Sequence, residues 1–156
     1  MDKTLVIKYH EYPSMEALPP DDRALLEAAI QAAEGAYTPY SQFHVGAALR
    51  RCDGSVVCGN NQENAAYPSG LCAERTALFA ASAQCPQMRD YEALAIVGVD
   101  KEGVRCEASP CGACRQVMAE YEGRQGHPMR VVCYVGEHCV RVFDSVADLL
   151  PFGFQF

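Results

Sequence analysis

Four residues have the types and spacing to do chemistry together. Cys111 and Cys114 form a C-x-x-C pair within Ser109-Pro110-Cys111-Gly112-Ala113-Cys114, a common spacing for chelating one metal ion. Alone, such a pair serves equally as a redox couple, half of a structural zinc site or two core thiols. Cys72, in Leu71-Cys72-Ala73-Glu74, would complete a set of three ligands. Cys72 and Cys111 are both expected at the first turn of a helix. There the free backbone N–H groups and the helix dipole favour the thiolate, which is the form that binds zinc. Three protein ligands leave a fourth tetrahedral position for water, the catalytic rather than the structural arrangement. Glu74 lies two residues beyond Cys72, and side chains at i and i+2 of a helix point apart. It is therefore expected beside the metal site rather than in it, placed to take a proton from the water and deliver it to a substrate. A redox pair would leave both Cys72 and Glu74 unexplained.

The elements that must hold these residues follow from pattern. A short strand is expected over 4–9, broken by Pro13, Pro19 and Pro20. Asp21 and Asp22 mark a helix start, a helix follows over 23–33, and Gly35 is its stop. A strand over 43–49 turns back through Asp53-Gly54 into a strand over 55–59. A polar loop over 60–70 leads into a helix over 73–83. The apolar run 93–99 reads as a strand buried on both faces. A loop ends at Ser109-Pro110, and a short helix covers 112–121. Strands over 130–135 and 139–143 flank Gly136, and Ser145 caps a last short helix over 146–150 before Pro151. This alternation suggests an α/β layered domain with helices on both faces of a mixed sheet.

Composition narrows the partners. The 156 residues suit one domain with a real core; 49% are apolar and 21% charged. With 13 Lys+Arg against 20 Asp+Glu the formal charge is -7, which disfavours a binder of nucleic acid or of anionic membrane surfaces. No apolar run approaches the ~18 residues of a membrane span, and the opening MDKTLVIKYHEYPS does not read as a signal peptide. Nine cysteines cannot all pair within one chain. The expected setting is the reducing cytoplasm, with Cys52, Cys58, Cys85, Cys106, Cys133 and Cys139 as buried apolar thiols.

Cys72-Ala73-Glu74-Arg75-Thr76-Ala77 followed by Pro110-Cys111-Gly112-Ala113-Cys114-Arg115-Gln116 resembles the small, homotetrameric cytidine deaminases. The resemblance extends through Tyr40-Ser41-Gln42-Phe43, Val45-Gly46-Ala47-Ala48-Leu49, the loop Asn61-Gln62-Glu63-Asn64-Ala65-Ala66-Tyr67, and Leu149-Leu150-Pro151 with Phe154. It spans about 23–154, nearly the whole chain. It implies a three-layer α/β/α fold with a mixed five-stranded sheet, formed by residues 21–156 behind an N-terminal extension, 1–20. It further implies a zinc enzyme, held by Cys72, Cys111 and Cys114 with Glu74 as proton carrier, that hydrolyses cytidine and deoxycytidine to uridine, deoxyuridine and ammonia.

On the same resemblance, Asn61 and Glu63 bond the sugar hydroxyls, Ala65 belongs to the same nucleoside-binding loop, and Phe43 packs on the bound nucleoside. Ala73 and Ser109 offer backbone groups to the pyrimidine edge, while Tyr67 and Phe154 reach a neighbouring subunit's site in a homotetramer. Phe152 departs from many family members. Three thiolates around Zn²⁺ carry an excess of negative charge, which Arg75 would offset, with Gln116 helping to hold it. Two rivals stand beside this reading: a related deaminase acting on another aminated base, and a non-catalytic zinc-binding interaction protein that gives Glu74, Asn61 and Glu63 no shared purpose.

Overall fold

The structure is a computed structural model, and it describes residues 1–155. In chain order the elements are β1 (His10–Tyr12), α1 (Pro20–Ala33), β2 (His44–Arg51), β3 (Val56–Asn60), α2 (Ala73–Gln84), β4 (Tyr91–Val99), β5 (Arg105–Cys106), α3 (Gly112–Gln125), β6 (Arg130–Gly136) and β7 (Cys139–Phe143). They build one mixed sheet in the order β1-β7-β6-β4-β2-β3, with β5 paired to β4. Only the β4–β6 pair is parallel; the β2–β3 and β6–β7 pairs are hairpins. The sheet has seven strands, two more than the expected five, because the short β1 and β5 join it.

Side-chain alternation divides the sheet between two cores. Ala47 and Leu49 of β2, with Leu94 and Ile96 of β4, face α2 and α3, where they meet Ala77, Leu78, Cys114 and Met118. Ala48, Ala93, Ala95 and Val97 face the other way, onto Leu25, Leu26 and Ala29 of α1. Both faces are covered, which is why β4 reads as an unbroken apolar run. The helices approach the sheet closely where it carries glycine. A Cβ at Gly46 would stand 1.8 Å from the Ala29 carbonyl oxygen, and one at Gly59 2.4 Å from the Ala77 nitrogen.

The first strand lies at His10–Tyr12 rather than over 4–9. There it pairs with β7 in the register His10↔Val142 and ends before Pro13. Helix α1 starts at Pro20, whose fixed φ suits a first helical position. Helix α3 runs on past residue 121 and stops at Gly126, which takes the left-handed conformation (φ 75°). The segment 146–150 forms only a 3-10 turn, Val146–Asp148, capped by Ser145 as its side chain accepts from the Ala147 N–H. Of the six cysteines expected to be buried, only Cys133 is. Cys52 lies in the β2–β3 turn and Cys58 on an edge strand, so both are exposed; the other three are half-buried. Among the described residues no helix is long and apolar enough to cross a membrane.

At the end of the sheet away from Phe43, Asp22 is buried between two arginines. Arg50 donates to it at 3.2 Å, and Arg130 donates to the same oxygen. Arg50 also donates to Glu92 and to the Asp21 carbonyl, so the buried charges are paired and hydrogen-bonded.

Candidate active site

Cys72 immediately precedes α2, and Cys111 immediately precedes α3; both have extended backbone and cap their helices. Two helix N-termini therefore converge, and their free N–H groups and dipoles lower the cost of negative charge there. Cys114, in the first turn of α3, is fully buried. The sulfurs of Cys72, Cys111 and Cys114 lie within 4.8 Å of one another. Thiolates sharing one zinc at about 2.3 Å stand about 3.8 Å apart, so this donor set fits a single tetrahedral zinc.

The electrostatics suit that cargo. A hydrogen bond from Cys114, reinforced by Arg75, outweighs burial and lowers the Cys72 thiol to about 5. The same bond, together with burial and the nearby Glu74 carboxylate, keeps the proton on Cys114 and pushes it up. Arg75 donates from Nη2 to Cys72 Sγ at 3.4 Å, and the thiolate in turn raises Arg75. The Arg75 Nε is buried and has no partner among the described residues. Glu74 is only 4% exposed. Burial first, then the Cys72 charge, raises its carboxyl above the ordinary range, as a proton carrier near neutral pH requires.

A cavity of about 250 Å³ opens over these groups, lined by Phe43, Asn61, Cys72, Ala73, Glu74, Ser109 and Cys111, with Ile96 and Glu107. A second hollow of about 450 Å³ adjoins it through Asn61 and Cys72, and Ser41, Glu63, Tyr67 and Arg75 line that part. Gly98 lets the Phe43 ring in, since a Cβ there would lie 2.7 Å from the ring's Cζ.

The structure gives several of the expected site residues further partners. Asn61 accepts from the Val45 N–H and donates to the Phe43 carbonyl. Glu63 accepts from the backbone N–H groups of Tyr40 and Ser41 and from the Ser41 hydroxyl. Tyr67 is exposed and meets Tyr40 edge-on at 6.1 Å. Ala65 is exposed and lines neither hollow. Phe154 is exposed and lines neither hollow. Gln116 bonds the Phe154 backbone twice, through N–H and carbonyl, and none of its hydrogen bonds goes to Arg75.

Three neighbours escaped sequence reading. Glu107 lines the cavity from a loop with no pattern to mark it. Arg115 donates to the carbonyls of Pro110 and Leu149, tying the Cys111 loop to the C-terminal turn. Ser41 accepts from the Phe43 N–H, the two-residue turn bond that Ser-x-aromatic could have signalled.

Three thiols at two helix N-termini beside a buried carboxyl define a zinc-binding α/β/α domain. Residues 19–132 match the family model of the cytidine and deoxycytidylate deaminase zinc-binding region. A cytidine deaminase of Halalkalibacterium halodurans is 56% identical over 135 residues, 86% of this chain and 94% of its own length. One from Mycobacterium tuberculosis is 44% identical over 105 residues, 65% of this chain and 74% of its own. The crystal structure of cytidine deaminase from Burkholderia pseudomallei superposes with a TM-score of 0.72 at 48% identity, covering 84% of this chain and 97% of that one. The Mycobacterium tuberculosis enzyme gives 0.67 at 37% identity, covering 88% and 100%. The chain belongs to the cytidine and deoxycytidylate deaminase family.

Proposed function

We propose that this protein is a zinc-dependent hydrolase that deaminates cytidine and deoxycytidine to uridine and deoxyuridine, releasing ammonia. The observation that carries the reading is the single cavity bringing Glu74, two of the three ligand cysteines, Phe43 and Asn61 to one place. Cys72, Cys111 and Cys114 would hold the zinc, whose Lewis acidity brings the pKa of water towards neutrality. Glu74 takes one proton from water as the oxygen adds to C4 of the ring, and passes it to N3. It then moves the second proton from the new hydroxyl to the amino group, so that ammonia leaves as the C4 carbonyl forms. Burial keeps that proton away from solvent between the two transfers.

Phe43 would pack on the base, with backbone groups of Ala73 and Ser109 at its edge. Asn61 and Glu63 would read the sugar from the loop that also carries Ala65. Arg75 offsets the thiolate charge, while Gln116 fixes the C-terminal segment. Tyr67 and Phe154 present exposed rings suited to a neighbouring subunit's site in a homotetramer. The family match beginning at residue 19 supports a catalytic domain over 21–156 with 1–20 as an extension. Nine free thiols support a cytoplasmic setting.

The test is ultraviolet spectroscopy of cytidine with the zinc-loaded protein. The cytidine band should disappear with equimolar ammonia, while Glu74→Gln keeps its zinc and turns over about 10²–10⁴-fold more slowly. Rapid turnover by that variant would remove Glu74 from the reaction. No change with either protein would remove cytidine as the substrate.

A further inference from the structure

The loop proposed to read the sugar is bound to the segment that carries the base-packing ring, and one hydroxyl makes the join. Ser41 Oγ donates to Glu63 Oε1 and accepts from the Phe43 N–H at 3.0 Å. Glu63 Oε2 accepts from the Tyr40 N–H at 2.9 Å and the Ser41 N–H at 3.2 Å. On the other side of Phe43, Asn61 Nδ2 donates to its carbonyl at 2.9 Å, and Asn61 Oδ1 accepts from the Val45 N–H at 2.7 Å. Both backbone polar groups of Phe43 are thus held by side chains. Between Ser41 and Phe43, Gln42 sits at φ 54°, a left-handed conformation that a non-glycine residue keeps only where its surroundings impose it.

We infer that Ser41 is a positioning residue for substrate binding: it fixes the Glu63 carboxylate towards the sugar and, through the Phe43 N–H, sets the ring against the base. This rests on the sugar-reading role proposed for Glu63. An ionised carboxylate has about four acceptor sites, and Glu63 has used three of them. Roughly one is left, aimed by the other three, so Glu63 is a preset acceptor for a single hydroxyl. Asn61 has made one donor and one acceptor bond, and keeps one of each. Without the Ser41 hydroxyl, Glu63 loses one of its three charge-assisted donors and Phe43 loses a tether, while Glu74 and the three cysteines are untouched. The loss falls on binding rather than on the chemical step.

The test compares Ser41→Ala, Ser41→Thr, Glu63→Ala and Ser41→Ala/Glu63→Ala in the zinc-loaded protein. Ser41→Ala should raise KM for cytidine about tenfold, the worth of one hydrogen bond to a charged group, with kcat and zinc content unchanged. Ser41→Thr, which keeps the hydroxyl, should restore most of the loss. In the Glu63→Ala background the further effect of Ser41→Ala should be clearly smaller than in the parent, since only the Phe43 tether is then left to lose. Equal effects in both backgrounds, or an unchanged KM in Ser41→Ala while Glu63→Ala raises it, would overturn the positioning role and leave the sugar-reading loop standing. An unchanged KM in both single variants would overturn the two together. A second readout needs no turnover: the Ser41 bond is the largest cause holding the Glu63 carboxyl below its ordinary value. Carbon NMR titration should find it raised in Ser41→Ala, and a titration identical to the parent's would refute the bond.

Discussion

At the residue scale, the metal ligands and the charge around them are coupled. Of the three sulfurs that share one corner, the Cys72 thiol is lowered to about 5 while Cys114 is pushed up and holds its proton. Loading zinc must release the Cys114 proton, so the affinity should fall as the pH falls. Cys111 is the exposed member of the trio, and removing it should leave the fold intact. Cys111→Ala should drop the bound zinc from one per chain to a small fraction, measured by elemental analysis after dialysis. Full zinc content would take Cys111 out of the ligand set. The chemistry-bearing residues were legible because their spacing is local: C-x-E and C-x-x-C each sit on one turn of one helix. Arg115 and the Ser41–Glu63 pair were not legible, because the partners lie 34 and 22 residues away in the chain. Leu149 is brought to Arg115, and Glu63 to Ser41, by the folded path of the chain rather than by any pattern of residue types.

At the scale of elements, the long helices and the central strands follow their sequence signals, since Ala- and Leu-rich periodicity and the unbroken run in β4 both reflect burial. The misplaced pieces are those fixed by a distant partner. Strand β1 is set by its register on β7, where pairing wins over the stronger strand propensity of residues 4–9. Helix α3 outruns the expected end at residue 121, and its stop is the left-handed Gly126. The closest helix–sheet approach tests the layering. Gly46→Ala would place a methyl 1.8 Å from the Ala29 carbonyl oxygen and 2.7 Å from the Ala33 nitrogen, both of them backbone atoms that cannot rotate aside. Overpacking of this kind costs about 1–3 kcal/mol. The urea midpoint should fall accordingly, and an unchanged midpoint would mean that α1 can lift off β2 without penalty. Because β2 continues from Phe43, KM should rise in the same variant.

At the scale of the whole molecule, several rings are largely exposed to water: Tyr67 at 76%, Phe152 at 96% and Phe154 at 67%. Rings left bare at this density mark contact surfaces, and they fall near the second hollow and the C-terminal turn. Light scattering should find four chains per particle under assay conditions. A fully active single chain would refute the shared site and return Tyr67 and Phe154 to the role of surface residues. Nothing in the spacing of these rings along the sequence distinguishes them from core residues; their exposure is a property of the folded monomer alone.

The pairing of β1 with β7 joins parts of the chain that are made far apart in time. Glu11 and Arg141 form an ion pair across a separation of 130 residues. At roughly 5–20 residues per second of synthesis, the first strand waits roughly 6–26 s for its partner. Until then Leu5, Val6 and Ile7 accompany a strand with no sheet to join. The β1 edge of the sheet is therefore made well before the strand that closes it.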